Sequence, residues 1–266
     1  MIVATWNVNG IRARWGRFTE WLAERKPDAV ALQELKVAEA ELPAAELASV
    51  GYHAVALCQP GWNGVAVVAR STPEPSRLFP NGGRGLVGAE DAGARFVAAR
   101  VGALEVVSVY VPNGKTLSHG DYKQKLVWLD RLAEVLEARA DRDAPLVVMG
   151  DINVCQTDRD SFGGEKFRGK IFHTDDERGR IERIKRAGFV DLYRERYPEE
   201  PGFSFWDYRA GSFHKKEGMR IDVLFATPAV AVRVTDVFVD REFRKKGKPS
   251  GTVPSDHAPV VATLSD

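Results

Sequence analysis

Residues 96–111 read FVAARVGALEVVSVYV, two short apolar runs (96–101 and 104–111) either side of a tight turn that contains Gly102. A turn this short leaves no room for a crossover helix, so the two runs form an antiparallel pair. Working outward, Ile2 to Trp6, Ala29 to Leu32, Val65 to Ala69 and Leu146 to Met149 are further strands, several apolar enough to be buried on both faces. Amphipathic stretches lie between them. The clearest runs from Asp121 to Arg139, where Leu126, Leu129, Leu132 and Leu136 recur at helical spacing; Arg17 to Arg25 and Asp176 to Ala187 are the others. Crossover helices combined with an antiparallel pair predict an α/β protein with a mixed sheet, or two sheets packed together, rather than a doubly wound parallel one. No linker, repeat or low-complexity tract divides the chain, so residues 1–266 are expected to be one domain with long loops at 81–93, 157–170 and 209–218.

Composition excludes several classes. The 266 residues carry 38 Lys+Arg against 37 Asp+Glu, a net charge of +1, so no global basic excess speaks for nucleic acid. A hydrophobic share of 44% argues against disorder, and no apolar run approaches the roughly 18 residues of a spanning helix, so no membrane partner is expected. Two cysteines, Cys58 and Cys155, cannot form a disulfide framework or a four-thiolate zinc site. With no leader-like pattern at Met1–Asn7, a cytoplasmic location is the expectation.

Acidic and amide residues follow the apolar runs: Asn7, Glu34, Asp151, Asn153, Asp222 and the pair Asp256-His257. Strand ends on one sheet edge converge on a crevice, and convergent carboxylates need a cation to neutralise them. Oxygen ligands without thiolates point to Mg²⁺ or Mn²⁺. A hard metal with carboxylates and one imidazole suits phosphodiester chemistry, in which the metal takes up phosphate charge, a carboxylate activates water and an imidazolium faces the developing negative charge. GxxxxGK[ST], GxSxG and HExxH are all absent, which removes the P-loop, nucleophile-elbow and zincin alternatives.

The blocks TWNVNGIRAR (5–14), LQELK (32–36), YVPNG (110–114), MGDINV (149–154), FSFWDYR (203–209), RIDVLFAT (220–227) and SDHAPV (255–260) occur in this order along the chain. In them the sequence resembles the exonuclease III family of abasic-site endonucleases, within the endonuclease/exonuclease/phosphatase superfamily. The resemblance implies a four-layer α/β sandwich, two mixed sheets face to face with helices outside. It implies a metal-dependent DNA repair phosphodiesterase that cuts duplex DNA 5′ to abasic sites and leaves a 3′-hydroxyl, with 3′→5′ exonuclease and 3′-end trimming activity, acting as a monomer.

Carried over position by position, the resemblance makes Glu34 the principal metal ligand, with Asn7 and Asp256 close to the metal. Asp151 activates water or protonates the leaving group, Asn153 orients it, and His257, held by Asp222, contacts the phosphate together with Tyr110. Lys125 stands near the scissile phosphate. Phe205, Met219 and Ile221, with Trp206 adjacent, wall the pocket for a base-free sugar; many bacterial members have Trp where this chain has Phe205. Bland readings stand beside these: a turn cap for Asn7, a strand aromatic for Tyr110, a solvated helix residue for Lys125, core packing for the pocket residues. A catalytically inactive nucleic-acid-binding regulator, or a phosphodiesterase acting on RNA, phospholipid or inositol phosphate, are the alternatives. Basic residues cluster near the motifs at Arg12, Arg14 and Arg17, at Lys166, Arg168 and Lys170, and at Arg241, Arg244, Lys245, Lys246 and Lys248, where they could form a phosphate-tracking rim.

Overall fold

The computed structural model describes residues 1–139, 141, 143–247 and 252–265; Lys248 lies outside them. In chain order the strands are β1 (Ile2–Asn7), β2 (Ala29–Gln33), β3 (His53–Leu57), β4 (Val65–Ala69), β5 (Glu74–Pro75), β6 (Phe96–Val101), β7 (Leu104–Tyr110), β8 (Leu146–Asp151), β9 (Val190–Asp191), β10 (Asp222–Ala226), β11 (Val234–Val239) and β12 (Val260–Leu264). They form two six-stranded sheets, ordered β11-β12-β1-β2-β4-β3 and β5-β6-β7-β8-β10-β9. The longest helices are α3 (Gly120–Glu137), α4 (Asp175–Arg186) and α1 (Trp15–Arg25), with the shorter α2 (Ala44–Ser49). Among the described residues no helix is long and apolar enough to cross a membrane.

Both sheets are mixed, and the 96–111 hairpin supplies an antiparallel pair in the second. β6 and β7 pair antiparallel, β7 and β8 pair parallel across the α3 crossover, and β1 and β2 pair parallel across α1. The inner faces meet in a core of small and branched side chains, Val3, Ala31, Val67, Val97, Val106, Val147, Met149 and Leu224 among them. The outer face of the second sheet is covered by Trp128, Leu129, Leu132 and Leu136 of α3, and that of the first by Phe18, Trp21 and Leu22 of α1. Each such side chain contributes about 1.5–3 kcal/mol on burial. Polar groups also cross the sandwich: Gln33 Nε2 donates to Ser108 Oγ at 3.0 Å, and that hydroxyl donates to Leu32 O at 2.9 Å.

Two expectations change. The buried face of α3 is Lys125, Trp128, Leu129, Leu132, Ala133 and Leu136, so the stripe begins at a lysine and Leu126 is only half-buried. Strands β3, β5, β9, β10, β11 and β12 lie outside the expected runs: β5 and β9 have only two residues each, β11 sits at a sheet edge with a half-exposed, non-alternating pattern, and β10 is embedded in a motif-rich block. At Gly150, a Cβ would stand 1.9 Å from the carbonyl oxygen of Val109 in the neighbouring strand. Only glycine lets β8 run this close to β7, and the next residue is Asp151.

Candidate active site

The C-terminal ends of β1, β2, β7 and β8 and the N-terminal end of β10 open on one edge of the sandwich. Register places Asp222 opposite Asp151 and Tyr110 beside Asp151, while the other sheet brings up Asn7 and Glu34. Glu34 and Asn153 take left-handed backbone conformations (φ 56° and 49°), as do Asn9 and Lys36 (φ 49° and 56°). Each such non-glycine residue costs about 1–3 kcal/mol and clusters where side chains must be aimed.

His257 is buried, with Nδ1 2.9 Å from Asp222 Oδ2 and Nε2 3.8 Å from Asp151 Oδ2. Ser204 Oγ donates to Asp222 Oδ2 at 2.6 Å, so this carboxylate is held from two sides. Burial alone would lower the imidazole, but the charge of Asp222 and its hydrogen bond, with Asp151 and Asp256, push it up to about 10. Asp151 moves the other way from a usual carboxylate. Burial drives it up, opposed by His257 and reinforced by the charge of Asp222, to about 7. Its oxygens are oriented by Asn153 N–H (2.9 Å to Oδ1) and Asn7 Nδ2 (2.9 Å to Oδ2).

Asn7 joins the two halves of the site. The same Nδ2 donates to Glu34 Oε1 at 2.8 Å, while Asn7 Oδ1 accepts from Asn9 N–H at 3.0 Å. In this arrangement the Asn7 amide bridges the two carboxylates of Glu34 and Asp151. Lys36 Nζ lies 2.7 Å from Glu34 Oε2 and donates to Asn9 Oδ1 at 2.6 Å, and Asn9 Nδ2 donates to Asp256 Oδ1 at 3.0 Å. Burial works to raise Glu34, but Asn7 and Lys36 outweigh it and hold the carboxylate below its usual value. Burial and the nearby charges of Glu34 and Asp151 push the Tyr110 phenol well up, so it stays protonated and hydrogen-bonds to Glu34. The Arg95 guanidinium lies 4.6 Å from the Tyr110 ring centroid and donates to Ala92 O at 2.8 Å and Tyr110 O at 3.3 Å.

The ligand atoms of Asp151, Asp222 and His257 lie within 4.8 Å of one another, a spacing that could hold a metal. Asp222 is already engaged by His257 and Ser204, however, and a charged imidazole is a donor and not a ligand. Glu34 and Asp256, hard oxygen donors that draw Lys36 and Asn9 towards them, fit a divalent ion better.

Other expected residues divide. Phe205 and Met219 are half-buried and paired through their backbones, and the Phe205 ring lies 4.8 Å from the His257 ring. Trp206 and Ile221 belong to the core, at 0% and 1% exposure, and cannot line an open pocket. Lys125 is fully buried against Glu177, which overturns its expected phosphate contact. Arg12 is exposed beside Glu46. In the basic rim, Arg17 and Arg244 are buried and donate to backbone carbonyls, so they support loops instead of meeting phosphates. Lys166, Arg168, Lys170 and Arg241 are exposed. Sequence reasoning missed Asn9, Lys36 and Ser204, which stood inside quoted blocks, and Arg95, which stood in none.

The pattern of the Endonuclease/Exonuclease/phosphatase family matches residues 4–257. The chain is 31% identical over 271 residues to exodeoxyribonuclease III of Haemophilus influenzae, covering 97% of each. The 3′ phosphatase NExo from Neisseria, solved with a product DNA hairpin, superposes with a TM-score of 0.92 at 35% identity, covering 100% of both chains. An AP endonuclease from Archaeoglobus fulgidus gives the same TM-score of 0.92 at 34% identity, again covering 100% of both. The chain belongs to the endonuclease/exonuclease/phosphatase family, in its exonuclease III group of DNA repair nucleases. The family is metal-dependent, in keeping with the carboxylates gathered here.

Proposed function

We propose that this chain cleaves duplex DNA 5′ to abasic sites, leaving a 3′-hydroxyl, and trims 3′-ends as a 3′→5′ exonuclease at the same centre. The observation that carries this reading is the buried line Asp222–His257–Asp151, tied to Glu34 through the single amide of Asn7. Asp151, poised near neutrality, accepts the proton of the attacking water while Asn153 N–H and Asn7 fix its oxygens. His257, held charged by Asp222, donates from Nε2 to a phosphate oxygen, and the Tyr110 phenol faces the same phosphate. The water oxygen bonds to phosphorus, the bond from phosphorus to the upstream O3′ breaks, and the proton that Asp151 took from the water passes to O3′. Mg²⁺ or Mn²⁺ held by Glu34 and Asp256 would neutralise charge on the phosphate oxygens.

Phe205 and Met219 form the apolar wall for the base-free sugar, which is small and costs little to extrude. Arg12, Lys166, Lys170 and Arg241 track the backbone by charge. The whole chain acts as one catalytic domain and as a cytoplasmic monomer. The test is a parallel assay on abasic duplex, recessed 3′-ends, 3′-phosphates and single-stranded RNA with Mg²⁺. Incision of the abasic duplex at the highest rate supports the reading. Cleavage confined to 3′-phosphates or RNA, or DNA binding without any cleavage, contradicts it.

A further inference from the structure

The buried pair of Lys125 and Glu177 lies directly behind Asn153. Both side chains have 0% exposure, and Lys125 Nζ is 2.5 Å from Glu177 Oε1. The ammonium also donates to Asn153 O at 2.7 Å and Asn113 O at 3.4 Å, so its three protons have three acceptors, and it stands 4.6 Å from the Phe172 ring centroid. Glu177 is fixed in turn, because Oε1 accepts from Phe172 N–H at 3.2 Å and Oε2 from Thr174 N–H and Oγ at 3.0 and 2.9 Å. The lysine is therefore anchored to the N-terminal cap of α4.

Asn153 is pinned from every polar atom of its backbone. Its N–H orients Asp151, its carbonyl accepts from Lys125, and its Nδ2 donates to Val111 O at 3.0 Å, all at a left-handed φ of 49°. A desolvated ion pair gives little net stability over well-packed apolar side chains, yet α3 turns Lys125 into the core while Leu126 stays half-buried. We infer that Lys125, braced by Glu177, is a positioning residue that holds Asn153 in its left-handed conformation and thereby aims the Asp151 carboxylate. This rests on the reading of Asp151 and Asn153 as members of the catalytic centre, so wild-type incision of abasic duplex is the control that separates the two.

The experiment compares Lys125→Arg, Lys125→Met and the apolar double variant Lys125→Met/Glu177→Leu with wild type, by steady-state incision at several salt concentrations and by thermal melting. The double variant is expected to keep a cooperative melt at or above the wild-type Tm while kcat falls about 10–100-fold, since small misplacement of a reacting group costs that much. KM for DNA and its salt dependence stay at wild-type values, and Lys125→Arg recovers part of kcat. A raised KM with a salt slope reduced by about one, kcat being intact, would make Lys125 a phosphate contact and overturn the inference. Unchanged kinetics, or loss of the cooperative melt in the double variant, would overturn it as well.

Discussion

The two halves of the site are built on opposite terms. The half from β8, β10 and the loop before β12 is sealed: Asp151, Asp222 and His257 are buried at 1%, 1% and 4% exposure and hydrogen-bonded to one another or to neighbours on each side. The other half is half-open: Glu34, just after β2, and Asp256, next to His257 in the loop before β12, are partly exposed and balanced by Lys36 and Asn9. In the first half burial raises Asp151, while the charge and hydrogen bond of Asp222 raise His257 against its burial. Partial exposure leaves the second half able to exchange an ion with solvent. A proton-handling group gains from isolation, while a divalent ion, which sheds water slowly, needs an open door. Asn7 spans both with one amide.

Substitutions that separate the halves put this contrast at risk. The largest effect is expected from Asp151→Asn, which lowers kcat roughly 10²–10⁴-fold. Added Mg²⁺ leaves that loss uncorrected, and DNA affinity measured by fluorescence anisotropy stays near wild type. Glu34→Gln acts on the open half. Its metal affinity, measured by isothermal titration calorimetry, is expected to fall about tenfold or more, and raising Mg²⁺ recovers much of the rate. If added metal rescued Asp151→Asn and failed to rescue Glu34→Gln, the assignment of the two halves would be reversed.

A third test lies outside the chemistry, in the buried network that supports the loop after β8. Arg220 donates to Asp160 at 2.6 Å and to Asp191 at 2.9 Å, and Arg194 joins Asp160 at 2.6 Å. Burial would raise Asp160, but the two guanidiniums outweigh it and hold the carboxyl below its usual value. A depressed carboxyl contributes stability above the ordinary carboxylate range, around pH 4, and loses it as pH falls through the folded value. Melting temperature is therefore expected to drop on acidification below about pH 4. Asp160→Asn flattens that limb and costs about 3–5 kcal/mol near neutrality, because Arg220 loses a buried partner. An acid limb unchanged in Asp160→Asn would remove the network from this role.

The fold was legible where a residue's surroundings are uniform. Buried strands such as VVAT-like β12 excepted, runs such as Val65–Ala69 and Leu146–Met149 announce themselves because both faces meet apolar neighbours, and the Gly102 turn sets the antiparallel pair. β11 did not, since half of it faces solvent at a sheet edge. In α3, periodicity assigned the core face to Leu126 because it counts any lysine as solvent-facing; Lys125 turns inward only because Glu177, 52 residues away, meets it there. The site followed the same rule. Glu34, Asp151, Asp222 and His257 were marked by position at strand ends and by motif, and the structure brings them together. Arg95 and Ser204 act through partners that no local pattern displays, Tyr110 for one and Asp222 for the other.

The most direct measurement of the central claim is single-turnover incision of an end-labelled abasic duplex by wild-type protein, first stripped with a chelator and then given Mg²⁺. The account predicts no cutting in the stripped state, and restored cutting at the position 5′ to the abasic site with a 3′-hydroxyl that a polymerase can extend. Cutting that persists without metal, or a restored activity that leaves a different end, would contradict it.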